Sequence, residues 1–325
     1  MVPGLTIPGV LPLIPFLTRL QGAKRVLIAG CGGGFDIYAG MPLASYLISR
    51  GHSPVLANLS FSRLEESGCE QLDPVMWRID SKANDLPYFP ERWLHEWLVA
   101  HELAVPVYAF SRWRCGVRPL ADSYRTLMAR HAIDLVVLVD GGTDSVIFGD
   151  EPGLGTVVED AVSIVAAHAA AGDNTLLVAL GFGIDHFHSV SHHSFLENVA
   201  RLTREGAFLG GHFLVRRTPE ADAFLELVDY ANRRQPGHRS IVCNSIASAL
   251  RGEFGNHHAT DRTGRSELFI NPLMTQYWAF DAGRVVADMA FASALTETES
   301  FGDAELAIET VREGLNVRKR SPIPL

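Results

Sequence analysis

Apolar runs of strand length alternate along this chain with longer stretches whose apolar residues recur at helical spacing. The clearest apolar runs cover residues 25–29, 135–139 and 175–180. Continuous apolar runs are typical of strands that are buried on both faces, and helices between them connect parallel strands. The pattern predicts an α/β fold, a three-layer, doubly wound and mostly parallel sheet of the Rossmann-like kind.

Turn residues and helix signals set the expected element boundaries. Further strands are predicted at residues 54–60, 105–110, 208–215 and about 266–271. Helices are predicted at residues 37–50, 91–102, 120–131, 156–171, 195–205, 219–232, 240–251 and 303–313. Thr156 and Glu159 have the spacing of a capping box at the start of one helix. Residues 61–91 are irregular and polar, and we expect a lid or an insertion over the strand ends there.

The N-terminal segment differs from the rest, because it is apolar and carries prolines at positions 3, 8, 12 and 15. Such proline spacing opposes a helix, and a signal peptide would need a basic start that is missing here. We therefore expect residues 1–22 to form an extended apolar arm that packs on the body or on a second subunit. Residues 23–325 are predicted to form a single Rossmann-like domain.

One local pattern occurs three times, where an apolar strand is followed by glycines and then an aspartate. The sequences are GCGGGFD ending at Asp36, DGGTD ending at Asp144 and GFGID ending at Asp185. Ligands of open parallel sheets bind outside the carboxyl ends of the strands. If the three strands are neighbours, these carboxylates converge on one crevice, where we expect them to orient substrate hydroxyl groups or a metal ion.

The glycines of these turns allow positive φ angles and close approach of backbone N–H groups to an anionic ligand. We predict substrate contacts for Gly32, Gly33, Gly34, Gly141, Gly142, Thr143, Asp150, Glu151, Gly183 and His212. The competing interpretation is purely structural, since such turns use glycine and aspartate for geometry and helix capping in any α/β protein.

Histidine is concentrated in one segment, Asp185-His186-Phe187-His188, which is followed by His192-His193. Imidazoles and carboxylates are ligands of zinc, manganese and iron, so His186 and His188 are candidate ligands of a divalent metal ion, and His186 is also a candidate catalytic base. A polar surface loop is the alternative, because no recognised ligand spacing is complete.

The first turn does not match a dinucleotide fingerprint. It lacks a clear third glycine in the following helix, and Asp36 stands where a pyrophosphate would be repelled. The second strand ends in Asn58-Leu59-Ser60 and so provides no carboxylate for a ribose. A nicotinamide or flavin cofactor is therefore disfavoured, and Walker-A spacing is absent.

Composition and charge limit the classes of partner that this chain is expected to bind. A net charge of -9 argues against binding to nucleic acid or to an anionic membrane, both of which need a basic surface. The four cysteines are widely spaced, which favours neither a zinc ribbon nor a disulfide framework and is consistent with a cytoplasmic protein. We expect a small-molecule ligand as the partner. A homo-oligomer joined by the apolar arm is compatible with the sequence but not indicated by it.

The first glycine turn, the DGGTDSVIFGDEPGLGTVVEDAVSI run and the strand that enters GFGIDHF together resemble the archaeal and bacterial family catalogued as domain of unknown function 1152. The resemblance covers most of residues 24–215, and its most specific part is the DGGTDS…GDEPGLGT…ED run. It implies a Rossmann-like α/β domain, and it assigns no catalytic residue.

These observations favour an enzyme that acts by hydrolysis or group transfer on a small polar metabolite, phosphorylated or nucleoside-like, at the carboxyl ends of the parallel strands. Metal-assisted hydrolysis is one form of this hypothesis. The alternative is a non-catalytic metabolite or nucleotide sensor that uses the same crevice, since fold alone does not decide function.

Overall fold

The fold is built on one nine-stranded sheet, which the computed structural model describes together with its helices for residues 14–323. The strands have the order β3-β4-β5-β2-β1-β6-β7-β9-β8. Their bounds are β1 Val26–Gly30, β2 Val55–Ser60, β3 Glu70–Gln71, β4 Met76–Ile79, β5 Val107–Ser111, β6 Leu135–Asp140, β7 Thr175–Ala179, β8 Phe208–Phe213 and β9 Gln276–Asp281.

The centre of the sheet is parallel and its two flanks are antiparallel. Strands β5, β2, β1, β6 and β7 pair in parallel, and they are the buried apolar strands that the sequence pattern predicts. On one side β4 and β3 continue the sheet in antiparallel fashion, and on the other side β9 and β8 do. The α/β class is confirmed, whereas the expected mostly parallel sheet is a mixed one.

Helices cover both faces of the sheet. They are α1 Pro15–Gly22, α2 Asp36–Ala39, α3 Met41–Ser49, α4 Pro90–Ala100, α5 Val117–His131, α6 Val157–Ala171, α7 His192–Arg204, α8 Pro219–Arg234, α9 Ile241–Arg251, α10 Ala282–Asp288, α11 Ala292–Leu295 and α12 Phe301–Glu313. Side chains of β1 alternate between two buried clusters, with Leu27 in one and Ile28 in the other. One cluster lies under α5, α6 and α12, and the other lies under α3, α4 and α8, so the sheet is the middle of three layers.

Three predicted elements differ from the structure. The helix expected at residues 37–50 is split at Gly40, because Pro42 lacks the N–H that would continue the first helix and instead lies in the first turn of the next one. The strand expected near residues 266–271 is wrong: the segment holds only one isolated bridge, between Gly255 and Ile270, and the strand of this region is β9. The segment 61–91 is not wholly irregular, since β3 and β4 extend the sheet.

The predicted capping box at the start of α6 does not form. The side chain of Thr156 makes no capping hydrogen bond. Instead, the Thr156 backbone N–H and hydroxyl both donate to the carboxylate of Asp144, at 2.7 and 2.9 Å. This contact ties the loop after β6 to the start of the next helix.

The predicted extended arm is only partly within the described residues, since residues 1–13 lie outside them. Its last part is a helix rather than an extended segment, because Pro15 takes the first helical position, where its missing N–H costs nothing. Phe16 and Leu20 of this helix are fully buried against the body. Among residues 14–323, no helix combines the length and the apolar character that crossing a membrane requires.

Candidate functional site

The carboxyl ends of β1 and β6 mark the point where the chain changes direction across the sheet. From β1 the chain continues to β2 on one side, and it later returns to β6 on the other side of β1. A crevice opens at such a switch point, because the two connections leave in opposite directions. The three strands that carry the glycine-aspartate pattern, β1, β6 and β7, are adjacent and parallel, as predicted.

Three carboxylates meet at this switch point, and we call them the acidic cluster: Asp36, Asp140 and Asp160. One oxygen of each lies within 4.8 Å of the others. Asp36 is the first residue of α2, Asp140 is the last residue of β6, and Asp160 lies in the first turn of α6. Within residues 14–323 this is the only group of three or more His, Cys, Asp or Glu side chains close enough to share one metal ion.

The three carboxylates of the acidic cluster differ in the hydrogen bonds that their oxygens accept. Asp140 is 2% exposed, and it accepts hydrogen bonds from the hydroxyl and the N–H of Ser145, at 2.5 and 3.3 Å. Asp160 is 1% exposed, and neither of its oxygens has a hydrogen-bond partner in the described chain. Asp36 is half-buried and also borders an open cleft. Buried carboxylates normally have a partner, so Asp160 is the unusual member.

Burial raises the pKa of all three carboxyl groups well above the usual range, and repulsion from neighbouring aspartates raises it further. For each of the three carboxyl groups, Asp144 is the neighbour whose charge raises the pKa most. No arginine or lysine of the described chain is among the main causes of these shifts. The acidic cluster therefore either retains protons or is compensated by a bound cation.

Two glycines make room for the acidic cluster. A Cβ atom on Gly32 would lie 2.8 Å from a carboxylate oxygen of both Asp36 and Asp160. A Cβ atom on Gly141 would lie 2.8 Å from Asp36 Oδ1. The predicted glycines thus approach carboxylates of the protein itself, and the direct substrate contact expected of them stays a prediction.

Asp144 and Asp185 flank the acidic cluster without belonging to it. A Cβ atom on Gly142 would lie 2.7 Å from Asp185 Oδ2 and 3.1 Å from Asp140 Oδ1, so these two carboxylates are side by side. Asp185 Oδ2 accepts from the N–H of Thr143 at 2.6 Å and from its hydroxyl at 3.2 Å. Burial raises the pKa of both Asp144 and Asp185. Because these carboxylates hold the loop after β6 in place, their catalytic roles stay predictions.

Asp150 and Glu151, which were predicted to contact the substrate, bind groups of the protein itself in this structure. Glu151 is fully buried and accepts from the N–H groups of Phe148 and Gly149, at 2.9 and 2.8 Å. It also accepts from Asn198 at 2.7 Å and from Arg318 at 2.8 Å. Three of these donors reach Oε1 and one reaches Oε2, so Glu151 anchors the loop after β6, and its predicted substrate contact stays a prediction. Asp150 forms an ion pair with the same Arg318 at 2.8 Å.

The histidine segment lies beside the acidic cluster rather than in it. His186 Nδ1 accepts from the guanidinium of Arg320 at 3.0 Å, and a cationic neighbour opposes a metal ion at that ring. Burial lowers the pKa of His188, and the negative charge of Asp144 opposes this effect. Among the described residues, no third ligand completes a metal site with His186 and His188. Gly183, with φ of +90°, packs against the ring of His192.

His212 does not reach the acidic cluster. It lies on the edge strand β8, with β7 and β9 between it and β6. Its ring stacks between Phe16 and Tyr277, with centroid distances of 5.9 and 4.9 Å. This packing gives His212 a structural role that its sequence context does not reveal.

A cleft of about 420 Å³ opens beside Asp36. Gly33 and Gly34 form part of its wall, both with positive φ, and they pack against the rings of Phe61 and Tyr88. The rest of the wall comes from the start of α9 and the loops on either side of that helix, and contributes His238, Ser240, Ile241, Val242 and Arg262. The cleft therefore combines a carboxylate that leads to the acidic cluster, the rings of Phe35, Phe61 and Tyr88, and a guanidinium.

The sequence pattern does not single out Asp160, whereas Asp140 opens the DGGTD turn, where a site is expected. Asp160 stands beside Glu159 in VVEDAVSIVAAH, a mainly apolar helix that is buried along most of its length. A charged residue inside such a helix is the signal that could have identified it, since unpaired charges are rarely buried.

Fold and site together define an α/β protein with buried carboxylates at the switch point of a mixed sheet. The family model described as "Protein of unknown function (DUF1152)" matches residues 27–313. The chain belongs to this family, which confirms the resemblance seen in its motifs.

Among solved structures, the chain is similar to a deacetylase of the teicoplanin biosynthesis pathway in a bog complex, with 12% identity and a TM-score of 0.38. It is also similar to the zinc-inhibited form of teicoplanin deacetylase, with 11% identity and a TM-score of 0.34. Each comparison covers 78% of this chain and 97% of the other. These values are too low for the chemistry of either protein to be transferred. The comparison with curated proteins gives no match.

Proposed function

We propose that the acidic cluster binds one divalent metal ion, and that the adjoining cleft is the active site of a hydrolase or group-transfer enzyme for a small polar metabolite. The observation that carries this proposal is Asp160, whose two oxygens are buried without a partner in the described chain and face two further carboxylates. Removing an ionised carboxylate from water without compensation costs several kcal/mol. A cation between the three side chains offsets this cost directly.

The ligand atoms favour a hard cation. All three candidate ligands are carboxylates, and oxygen-only sites suit Mg²⁺, Mn²⁺ or Ca²⁺ better than zinc, which prefers imidazole and thiolate. Cys31 lies nearby, but burial and then the charge of Asp160 raise the pKa of its thiol well above its usual range. Cys31 is therefore a neutral neighbour rather than a thiolate ligand.

The cleft supports a phosphorylated or nucleoside-like substrate. Phe61 and Tyr88 offer ring faces and edges to a planar group, and Arg262 offers a guanidinium to an anionic one. Asp36 belongs to both the cleft and the acidic cluster, so a substrate in the cleft reaches the metal ligands. A divalent ion held there would act as a Lewis acid towards a substrate oxygen.

The test is metal binding by the Asp160→Asn variant. We expect calorimetry with Mn²⁺ to show about one site per wild-type chain, and affinity at least about 100-fold weaker in the variant, because outer-shell partners alone account for about 10–100-fold. Asp222→Asn, which changes an exposed aspartate of α8, should bind Mn²⁺ like the wild type. Equal Mn²⁺ affinity in wild type and Asp160→Asn would refute the metal site.

Thermal unfolding without metal shows whether the variant is folded. Asp160→Asn removes one of three mutually repelling carboxylates, so the metal-free variant should be at least as stable as the metal-free wild type. Once the metal is bound, assays with phosphate esters and nucleosides separate enzyme from sensor. A metal-loaded protein that binds such a compound and releases it unchanged would support the sensor instead.

Gly141→Ala tests how the acidic cluster is positioned. The new Cβ would lie 2.8 Å from Asp36 Oδ1 and 3.4 Å from Val242, so the Asp36 carboxylate has to move. We expect Mn²⁺ affinity to fall about tenfold, while the free energy of unfolding changes by less than about 1 kcal/mol because a flexible side chain gives way. Gly22→Ala is the matched control, since a Cβ added at Gly22 would have no other atom within 4 Å. Unchanged Mn²⁺ affinity in Gly141→Ala would show that Asp36 is not a ligand.

A further inference from the structure

A buried polar pair, Asn58 and Glu91, lies outside both the acidic cluster and the cleft. Asn58 stands near the end of β2, beside Gly30 of β1 in the sheet, and Glu91 lies in the first turn of α4. Both side chains are fully buried. Removing polar groups from water costs free energy that hydrogen bonds must offset, so the partners of this pair show what it does.

The side-chain nitrogen of Asn58 connects two parts of the chain. It donates to the carbonyl oxygen of Gly34 and to Oε1 of Glu91, at 2.7 Å each. The N–H of Gly34 donates to the carbonyl oxygen of Leu59 at 3.0 Å, so the end of β2 holds both backbone polar groups of Gly34. Gly34 has a φ of +63° and comes two residues before Asp36. Asn58 therefore fixes the glycine turn after β1 at the point where it leads into Asp36.

The surroundings of the Asn58 amide keep it in this orientation. Its Oδ1 has no hydrogen-bond partner among the described residues, and a Cβ atom added to Gly30 would lie 2.0 Å from that oxygen. The amide therefore fits only because position 30 is glycine. An amide nitrogen carries two hydrogens, and those of Asn58 are both used, one by Gly34 and one by Glu91.

The start of α4 also contacts the chain on the other side of Asp36. The hydroxyl of Tyr38, two residues after Asp36, donates to the carbonyl oxygen of Pro90 at 2.9 Å, and Tyr38 is fully buried. Pro90 is the first residue of α4 and directly precedes Glu91. Hydrogen bonds on both sides of Asp36 thus lead to the same turn of α4.

We propose that Asn58 is a positioning residue for the metal site, because its hydrogen bond to the Gly34 carbonyl sets where the Asp36 carboxylate lies. Glu91 holds the Asn58 amide for this task. The inference rests on the proposed function, since Asp36 is one of the three candidate metal ligands. It gives Asn58 a role at the end of the second strand, where the sequence provides no carboxylate for a ribose. Residues that support metal ligands without touching the metal typically account for about 10–100-fold in metal affinity.

Calorimetry with Mn²⁺ on the Asn58→Asp variant tests the proposal. A carboxylate has nearly the shape of the amide but cannot donate to the Gly34 carbonyl, so we expect Mn²⁺ affinity to fall about tenfold or more. Asn244→Asp is the matched control, because Asn244 is also a buried amide and its side-chain nitrogen donates instead to Ser240 and Asn232. This control should bind Mn²⁺ like the wild type.

The double variant Asn58→Asp/Glu91→Gln separates positioning from stability. It exchanges donor and acceptor between the two side chains, so the hydrogen bond between them can form again and the melting temperature of the metal-free protein should recover. The Gly34 carbonyl still lacks its donor, so Mn²⁺ affinity should stay about tenfold or more below that of the wild type. The double variant also tests the proposal if Asn58→Asp alone does not fold.

Mn²⁺ affinity of wild-type strength in the double variant, or in folded Asn58→Asp, would overturn the proposal, because the Gly34 contact would then not position Asp36. An equal loss of affinity in Asn244→Asp would overturn it as well, since any buried amide would then have the same effect. Either result leaves the metal site itself in place if Asp160→Asn still weakens Mn²⁺ binding. Absence of Mn²⁺ binding in the wild type would refute the metal site and the role of Asn58 together.

Discussion

Replacing Glu151 by alanine should lower the free energy of unfolding by about 3–5 kcal/mol, because several hydrogen-bond donors lose a fully buried acceptor and each buried donor left unsatisfied costs about 1–3 kcal/mol. Glu151 is fully buried, and its two oxygens accept from two backbone N–H groups, Asn198 and Arg318. Alanine would leave all four donors without this acceptor. Urea denaturation followed by circular dichroism measures the loss, and Glu151→Gln should lose less because it keeps one acceptor oxygen.

Glu197→Gln is the matched control for this prediction. Glu197 pairs with the same Arg318, but its side chain is 51% exposed. An exposed pair contributes only about 0–1 kcal/mol, so this variant should be nearly as stable as the wild type. Similar losses in the Glu197 and Glu151 variants would show that burial does not set the strength of the Arg318 contacts.

Glu91→Gln should make the protein more stable at neutral and alkaline pH. Glu91 is fully buried in the first turn of α4, and burial raises its pKa to about 7. A hydrogen bond of 2.7 Å from the Asn58 amide only partly opposes this shift. An unfolded glutamate ionises near its ordinary value of 4.5. Between these two values the folded state holds the proton more tightly, so its stability falls as the pH rises.

The expected loss in the free energy of unfolding follows from the difference between the folded and unfolded pKa values of Glu91. The contribution of Glu91 is complete below pH 4.5 and is lost as the pH rises through about 7. Relative to Glu91→Gln, the wild type should lose on the order of 3 kcal/mol across this range. Denaturant unfolding of both proteins from pH 4.5 to pH 8 tests this, and subtracting the variant removes the titration of the other groups. A difference that does not change with pH would mean that Glu91 ionises normally in the folded protein.

The parallel centre of the fold is predictable from sequence because its strands are buried on both faces. Such strands then appear in the sequence as continuous apolar runs. In β6, for example, every residue is buried. The antiparallel flank is harder to predict, since β9 reads QYWAFD and is only partly buried. A mixed pattern of this kind does not distinguish a strand from a loop, and pairing with β7 and β8 stabilises it only in the folded sheet.

The candidate site is predictable in its location and less so in its members. Asp36 follows β1 after the glycine turn, and Asp140 ends β6, so the topology of parallel sheets is enough to place both. Asp160 comes from a helix and reaches the same point only through the packing of α6 on the sheet. Its distance from Asp36 along the chain conceals a proximity that only the tertiary structure creates.

The hydrogen bonds of the C-terminal tail bear on the order in which parts of the protein fold. Arg318 contacts the loop after β6, and Arg320 contacts the loop after β7, across 167 and 134 residues of sequence. Contacts between such distant residues form late, since the long intervening loop must close first. A nascent chain could thus form its central strands during synthesis. The hydrogen bonds from Arg318 and Arg320 to these two loops would form only after residue 320 had left the ribosome.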